Sequence, residues 1–194
     1  MSTPNLSGKK IAIISEDGFE ELELTSPKKA LEDAGATVHI ISDLQNIKAW
    51  DTDHWSIVLP VDVNIHHANS DDYDALLLPG GVINADKMRT MADYISFASE
   101  FLETGKPVAT ICHGPQVLIE TGMLKGKDMT SYHSIKTDLL NAGVNWMDKE
   151  VVVDNGLITS RSPADLVAFN LKMVEEFAEG IHKVRNPIES SNTF

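Results

Sequence analysis

Cys112 is the only cysteine of this chain, and the residues around it, Val108-Ala109-Thr110-Ile111-Cys112-His113-Gly114-Pro115, mark an abrupt change of backbone pattern. Val108 to Ile111 is a short apolar, partly β-branched run with Gly105 and Pro107 before it and Gly114-Pro115 after it, which predicts a buried strand. Pro115 suits a first helical position, and Gln116 to Glu120 continue a helix until Gly122 offers a stop. Cys112 then falls at a strand-to-helix corner, where unpaired backbone N–H groups and the positive end of the helix dipole favour a thiolate. The same N–H groups can hold a developing oxyanion, so one corner supplies a nucleophile and its electrophilic support. Lone cysteines are most often inert core residues. The corner argues for a functional one, with a thiol pKa well below the ~8.5 of a free cysteine.

Glu23 is the second candidate. Positions 23, 27, 30 and 34 fall on one helical stripe whose other members are Pro27, Ala30 and Ala34. A carboxyl on such a face is desolvated, which raises its pKa. Glu20 and Glu21 are accounted for more simply, as acids that complement a helix N-terminus. His113 is weaker on position alone, because adjacent residues on a regular element do not face each other; a strained corner can bend that rule. His66-His67 near Asp71-Asp72 lack the spacing and the further ligand that a metal needs, and read as a solvated loop. No Gly-x-Gly-x-x-Gly or phosphate-binding loop occurs, so no nucleotide cofactor is indicated.

At these residues the chain resembles the PfpI/ThiJ family, whose members share a flavodoxin-like domain related to class I glutamine amidotransferases. Ala109 to Pro115 looks like the family's nucleophile elbow. Three more segments match in order: Gly18 to Leu24, Tyr73 to Gly81, and Val151 to Asp154 with Thr159 to Leu166. The likeness spans about residues 9 to 180 and is strongest to the branch of intracellular peptidases and deglycases. It implies that Glu23 hydrogen-bonds the nucleophilic sulfur, that His113 is the general base, and that an acid from a neighbouring subunit completes a triad. Asp86, three residues before Arg89, is the best match for that acid, although the loop after Gly80-Gly81 is one residue longer than the family's; the alternative account of Asp86 is an ordinary helix N-terminal acid. Gly80 and Gly81 match the turn whose backbone approaches the nucleophile, and Tyr132 a pocket-lining position. His133 stands where several relatives carry proline. The amidotransferase relatives use a distant His-x-Glu pair, and none of the seven histidines here is followed at that spacing by glutamate.

By this resemblance the expected activity is that of a stress-protective cysteine hydrolase without a cofactor. It would act on small carbonyl compounds such as glyoxal and methylglyoxal, or on glycated proteins and nucleotides, as a deglycase or glyoxalase-like enzyme. An intracellular cysteine peptidase using Cys112, His113 and Asp86 is one alternative. A redox-sensing chaperone in which Cys112 oxidises to a sulfinate beside Glu23 is another. A homodimer or higher homo-oligomer is implied, since a borrowed acid requires one.

The elements that must position these residues alternate regularly. Lys10 to Ser15 predicts a first strand, Glu20 to Ala34 a helix closed by Gly35, and Thr37 to Ser42 a second strand. Ala75 to Leu78 is a third, Ala92 to Glu103 a helix, and Val108 to Ile111 the strand that feeds the corner. This predicts an α/β fold: a doubly wound, mostly parallel sheet with helices on both faces, whose ligands bind beyond the carboxyl ends of the strands. Between Asp43 and Asp72 the pattern weakens, and Ser56 to Leu59 with Val61 to Ile65, punctuated by Pro60, predict a small β-hairpin excursion. Asn155-Gly156 between Val151 to Val153 and Leu157 to Ser160 predicts a hairpin turn. Ser162-Pro163 reads as the N-cap and first residue of a last helix through Ala178.

One domain over residues 1 to 194 is expected, with a polar tail from Lys183 to Phe194. The net charge of −13 argues against binding nucleic-acid backbones or anionic membranes. No apolar stretch approaches 18 residues and the N-terminus is polar, so the chain is expected to be cytoplasmic. One cysteine permits no internal disulfide, which fits a reducing compartment.

Overall fold

The structure is a computed structural model that describes residues 4–182. The predicted polar tail lies outside the described residues. In chain order the elements are β1 (Lys10–Ile14), β2 (Phe19–Glu20), α1 (Glu21–Asp33), β3 (Thr37–Ser42), β4 (Asn46–Asp51), β5 (His54–Pro60), β6 (Val63–Asn64), β7 (Ala75–Leu78), α2 (Val82–Met88), α3 (Ala92–Thr104), β8 (Val108–Ile111), α4 (Pro115–Ile119), β9 (Asp128–Met129), α5 (Lys136–Asn141), β10 (Asn145–Trp146), β11 (Val151–Asp154), β12 (Leu157–Ser160) and α6 (Leu166–Glu179).

The main sheet runs β11-β12-β8-β7-β1-β3-β6, with β11 antiparallel to β12 and the other pairings parallel. Its strands are apolar on both faces because both faces are covered. Alternate residues divide the core in two: Ile11, Ile13, Leu77 and Ile111 pack toward α1 and α6 through Leu24, Leu31, Phe169 and Phe177. Ala12, Ile14, Leu76 and Leu78 face the other way, toward Tyr94 and Phe97 of α3, Leu118 of α4 and Leu139 of α5. The doubly wound, mostly parallel α/β fold expected from the sequence is the one observed. Strand order reverses between β1 and β7, and a ligand cleft belongs beyond the carboxyl ends of those strands.

The excursion differs in its pairing from the sequence expectation. Its hairpin is β4 with β5, joined through Thr52 and Asp53, and β2 adds alongside β4. Pro60 ends β5 instead of punctuating a hairpin, and β6 pairs with β3 at the edge of the main sheet. The Asn155-Gly156 turn forms as predicted, with φ of 52° and 81° at the two residues, the left-handed pair that a tight hairpin needs. The last helix starts later than expected: Pro163 to Asp165 form a 3-10 turn, and α6 begins at Leu166. Among the described residues no helix is long and apolar enough to cross a membrane.

Candidate active site

Cys112 has φ of 60°, in the left-handed region that a residue with a side chain rarely adopts. The conformation is held from all sides. Its N–H donates to Ser160 O at 3.1 Å, its carbonyl accepts from Tyr132 N at 3.0 Å, and Gly114 N donates to Ile111 O at 2.9 Å. Strain of this kind persists only where the surroundings over-determine it, and here it points the sulfur out of the sheet at the start of α4.

The left-handed turn also brings His113 round to the sulfur. Its Nδ1 lies 3.2 Å from Cys112 Sγ, and its Nε2 lies 3.0 Å from Ser134 Oγ. Burial, and then the neighbouring charge of His133, push the imidazole below its ordinary range, which keeps it a neutral base. Tyr132 leans over this group, its ring 5.0 Å from that of His113 and 4.3 Å from that of His133.

Glu23, in the first turns of α1, is fully buried, as its stripe with Pro27 predicts. Neither carboxyl oxygen makes a hydrogen bond of good geometry among the described residues. Burial pushes its pKa up to about 8, against the pull of the thiol and of Gly80 N–H. The carboxyl and the cysteine press on the same glycine: a Cβ on Gly80 would stand 2.2 Å from Glu23 Oε2 and 2.7 Å from Cys112 Cβ. Gly81 follows with φ of 93°, and a side chain there would collide with Gly18 O at 2.3 Å.

The environment of the sulfur raises the thiol above its ordinary value, against the sequence expectation of a lowered one. Burial pushes the thiol up, and so does an ionised Glu23 beside it, while the N–H groups of Gly81 and His113 pull it down. The sequence reading of a strongly acidified thiol counted the donors at the corner but not the burial that opposes them.

Two site residues escaped the sequence. Asn84 of α2 is fully buried; its Nδ2 donates to Pro79 O at 3.1 Å and Gly80 O at 2.9 Å, and its Oδ1 accepts from Glu16 N at 2.7 Å and Ser15 Oγ at 3.2 Å. It ties the Gly80-Gly81 turn to the end of β1. Ser134 is the other, as the partner of His113. The sulfur opens into a cleft of about 520 Å³ walled by Trp50, Ile83, Tyr132 and Pro163. A second cleft, of about 410 Å³ beside Arg89 and Asp138, has no thiol or histidine in its wall.

The structure thus brings Cys112, His113, Glu23, Gly80, Gly81 and Tyr132 together. It does not bring Asp86 to them within one chain: Asp86 is exposed on α2 and outside the cleft wall. His66 is also exposed, with Nδ1 2.7 Å from Asp93.

A cysteine at a strand-to-helix corner of a doubly wound sheet, with a buried acid on one side and a histidine on the other, defines a class of α/β proteins. Within it, the chain belongs to the DJ-1/PfpI family, whose model matches residues 9–176. A Bacillus subtilis (strain 168) protein named "Putative cysteine protease YraA" is 50% identical over 162 residues, covering 84% of this chain and 94% of that protein. Among solved structures, a two-domain Anabaena variabilis protein with DJ-1/ThiJ/PfpI-like and ferritin-like domains superposes with a TM-score of 0.82 at 35% identity, over 96% of this chain. This chain spans only 52% of that protein's length. Drosophila melanogaster DJ-1beta superposes with a TM-score of 0.78 at 31% identity, covering 88% of this chain and 90% of that one.

Proposed function

We propose that the chain is a cysteine hydrolase acting on small electrophilic carbonyls: a glyoxalase-like or deglycase enzyme for glyoxal and methylglyoxal chemistry. The observation that carries this reading is the buried Glu23 carboxyl, pushed up to about 8 by burial and making no hydrogen bond of good geometry among the described residues, beside a thiol whose other neighbours are two N–H donors and an imidazole whose pKa is lowered. Such a set suits chemistry that moves protons between the carbons and oxygens of a substrate small enough for a cleft of about 520 Å³.

For methylglyoxal the steps balance without an external oxidant or reductant. The Cys112 sulfur adds to the aldehyde carbon as its proton passes to His113 Nδ1. The N–H groups of Gly81 and His113 hold the new oxyanion, which takes up a proton to give a hemithioacetal. The hydrogen on the former aldehyde carbon is carried as a proton to the neighbouring carbonyl carbon through an enediol, with Glu23 and His113 as the shuttles, leaving a thioester. Water then cleaves the S–C bond to release lactate and regenerate the thiol. On a glycated amine or thiol, the same sulfur attacks the adduct carbon and the amine or thiol leaves.

The peptidase reading keeps a place because of the 50% identity to a protein named for that activity. The deciding experiment gives purified protein methylglyoxal, a glycated peptide and an unmodified peptide, each against Cys112→Ala. Lactate from the first two that depends on Cys112 supports the proposal. Cleavage of the unmodified peptide, with no lactate, replaces it by the peptidase.

A further inference from the structure

At the end of the main sheet opposite Cys112, the last turn of α6 and the residues after it gather Glu176, Glu179 and His182. They follow one another at intervals of three, and one ligand atom from each lies within 4.8 Å of the others. His182 is fixed by its backbone, whose N–H donates to Gly105 O at 2.9 Å. Its ring occupies a notch that Gly156 leaves open: a Cβ on Gly156 would come 2.6 Å from His182 Cδ2. The ring nitrogen Nε2 is buried and has no hydrogen-bond partner among the described residues. It stands 3.4 Å from Glu176 Oε2, close to Glu176 but not aligned with it as a hydrogen bond.

That separation has a second meaning. Ligands about 2.0–2.1 Å from a tetrahedral zinc ion lie roughly 3.3–3.4 Å from each other, so His182 and Glu176 already stand at the edge of such a tetrahedron. Glu179 is exposed and completes the group from the solvent side. The two carboxylates repel each other at this spacing on the helix, and the helix C-terminus adds partial negative charge. Burial and Glu179 both raise the Glu176 carboxyl, a cost that a cation would remove.

We propose that Glu176, Glu179 and His182 bind one divalent transition-metal ion, zinc being the best match to a nitrogen and two oxygens, with water completing the coordination. The ion would join the end of α6 to the β11–β12 turn and to the loop before β8. Four residues of β12 separate it from the thiol's end of the sheet, about 13 Å, so its role is to hold the fold together and not to act on substrate. The site is independent of the function proposed for Cys112.

The test uses untagged full-length protein carrying Cys112→Ser, so that the thiol cannot serve as a ligand, titrated with zinc chloride by calorimetry and with cobalt chloride by visible absorption. The expected result is one equivalent bound, with a rise in Tm on adding zinc. Both are lost in His182→Ala and in Glu176→Gln, each made in the same background and checked for folding by circular dichroism. If His182→Ala does not fold, Glu176→Gln decides alone. Absence of stoichiometric binding in the parent, or binding that persists in the folded variants, overturns the proposal.

Discussion

Nδ1 of His113 stands 3.2 Å from Sγ of Cys112, its immediate neighbour in the chain. Side chains of successive residues in a strand point to opposite faces, and these two meet only because Cys112 takes φ of 60°. The imidazole is held neutral by burial and by His133, so it can accept the thiol proton. A base with a lowered pKa stays competent as pH falls past the ordinary imidazole value of ~6.5, and loses activity only on protonation below that. The acid limb of the rate profile should therefore lie below the ordinary imidazole value, and His133→Ala should move it upward. His113→Gln should lower kcat by roughly 10²–10⁴-fold at pH 7. A full rate in His113→Gln would remove the imidazole from proton transfer.

Glu23 makes a prediction about stability as well as rate. Its carboxyl is raised from 4.5 to about 8 in the fold, so between those values the folded chain keeps a proton that the unfolded chain has released. Stability from this group is intact below about 4.5, declines as pH rises, and is fully lost above about 8. The displacement corresponds to at most roughly 5 kcal/mol. Glu23→Gln, neutral throughout, should match the parent in denaturant stability at pH 4 and exceed it increasingly up to pH 8. A constant difference across that range would mean that Glu23 is ionised in the fold at neutral pH.

The state of Glu23 also decides what it does to the sulfur. An ionised carboxylate there raises the thiol, whereas a protonated one offers an O–H to the thiolate. Since Glu23 keeps its proton to about 8, Glu23→Leu should slow alkylation of Cys112 by iodoacetamide at pH 7, and Glu23→Gln, which still offers an N–H, should slow it less. Faster alkylation in Glu23→Leu would assign the negative charge to the carboxyl.

The parts of this architecture that the sequence announces are those where one local choice carries the signal. Apolar β-branched runs between Gly and Pro mark β8 and its neighbours, Asn155-Gly156 marks a hairpin, and a stripe of Pro27, Ala30 and Ala34 exposes the oddity of Glu23. The β4–β5 hairpin was not legible. Asn46 to Asp51 alternates Ile47 and Ala49 with polar residues, so it lacks an apolar run, and its turn places the β-branched Thr52 at φ of 53° where Gly or Asn would be expected. Asn84 was hidden for another reason. A single Asn in Val82 to Met88 reads as a surface residue, and two of its four hydrogen bonds reach Ser15 and Glu16, far away in the sequence. Ser134 likewise gains its role only when the chain after β9 folds back over the elbow.

Asn84 is expected to act as a positioning residue for the Gly80-Gly81 turn. Asn84→Ala leaves Glu16 N and two carbonyls without their buried partner, each at about 1–3 kcal/mol, and frees the turn that aims Gly81 N–H at the sulfur. Both Tm and the rate of Cys112 alkylation should drop. A merely structural Asn84 would lower Tm in urea titrations and thermal melts while leaving the alkylation rate of the folded protein unchanged.

Within one chain the outer nitrogen of His113 is satisfied by Ser134 Oγ at 3.0 Å, not by a carboxylate, and Asp86 stands exposed on α2. Ser134 is itself exposed, whereas His113 is buried. If Asp86 orients a partner's histidine, its removal costs up to on the order of 10⁴ in rate, as loss of the orienting acid does in a serine triad. Mixing Asp86→Ala with Cys112→Ala under verified subunit exchange should then restore part of the lost activity, because some mixed assemblies hold one intact composite site. Ser134→Ala separates the two accounts. It should reduce activity modestly when Asp86 supplies the orientation in trans, and as severely as His113→Gln when Ser134 is the orienting group. A fully active Asp86→Ala protein, with Ser134→Ala inactive, would make the site complete within a single chain.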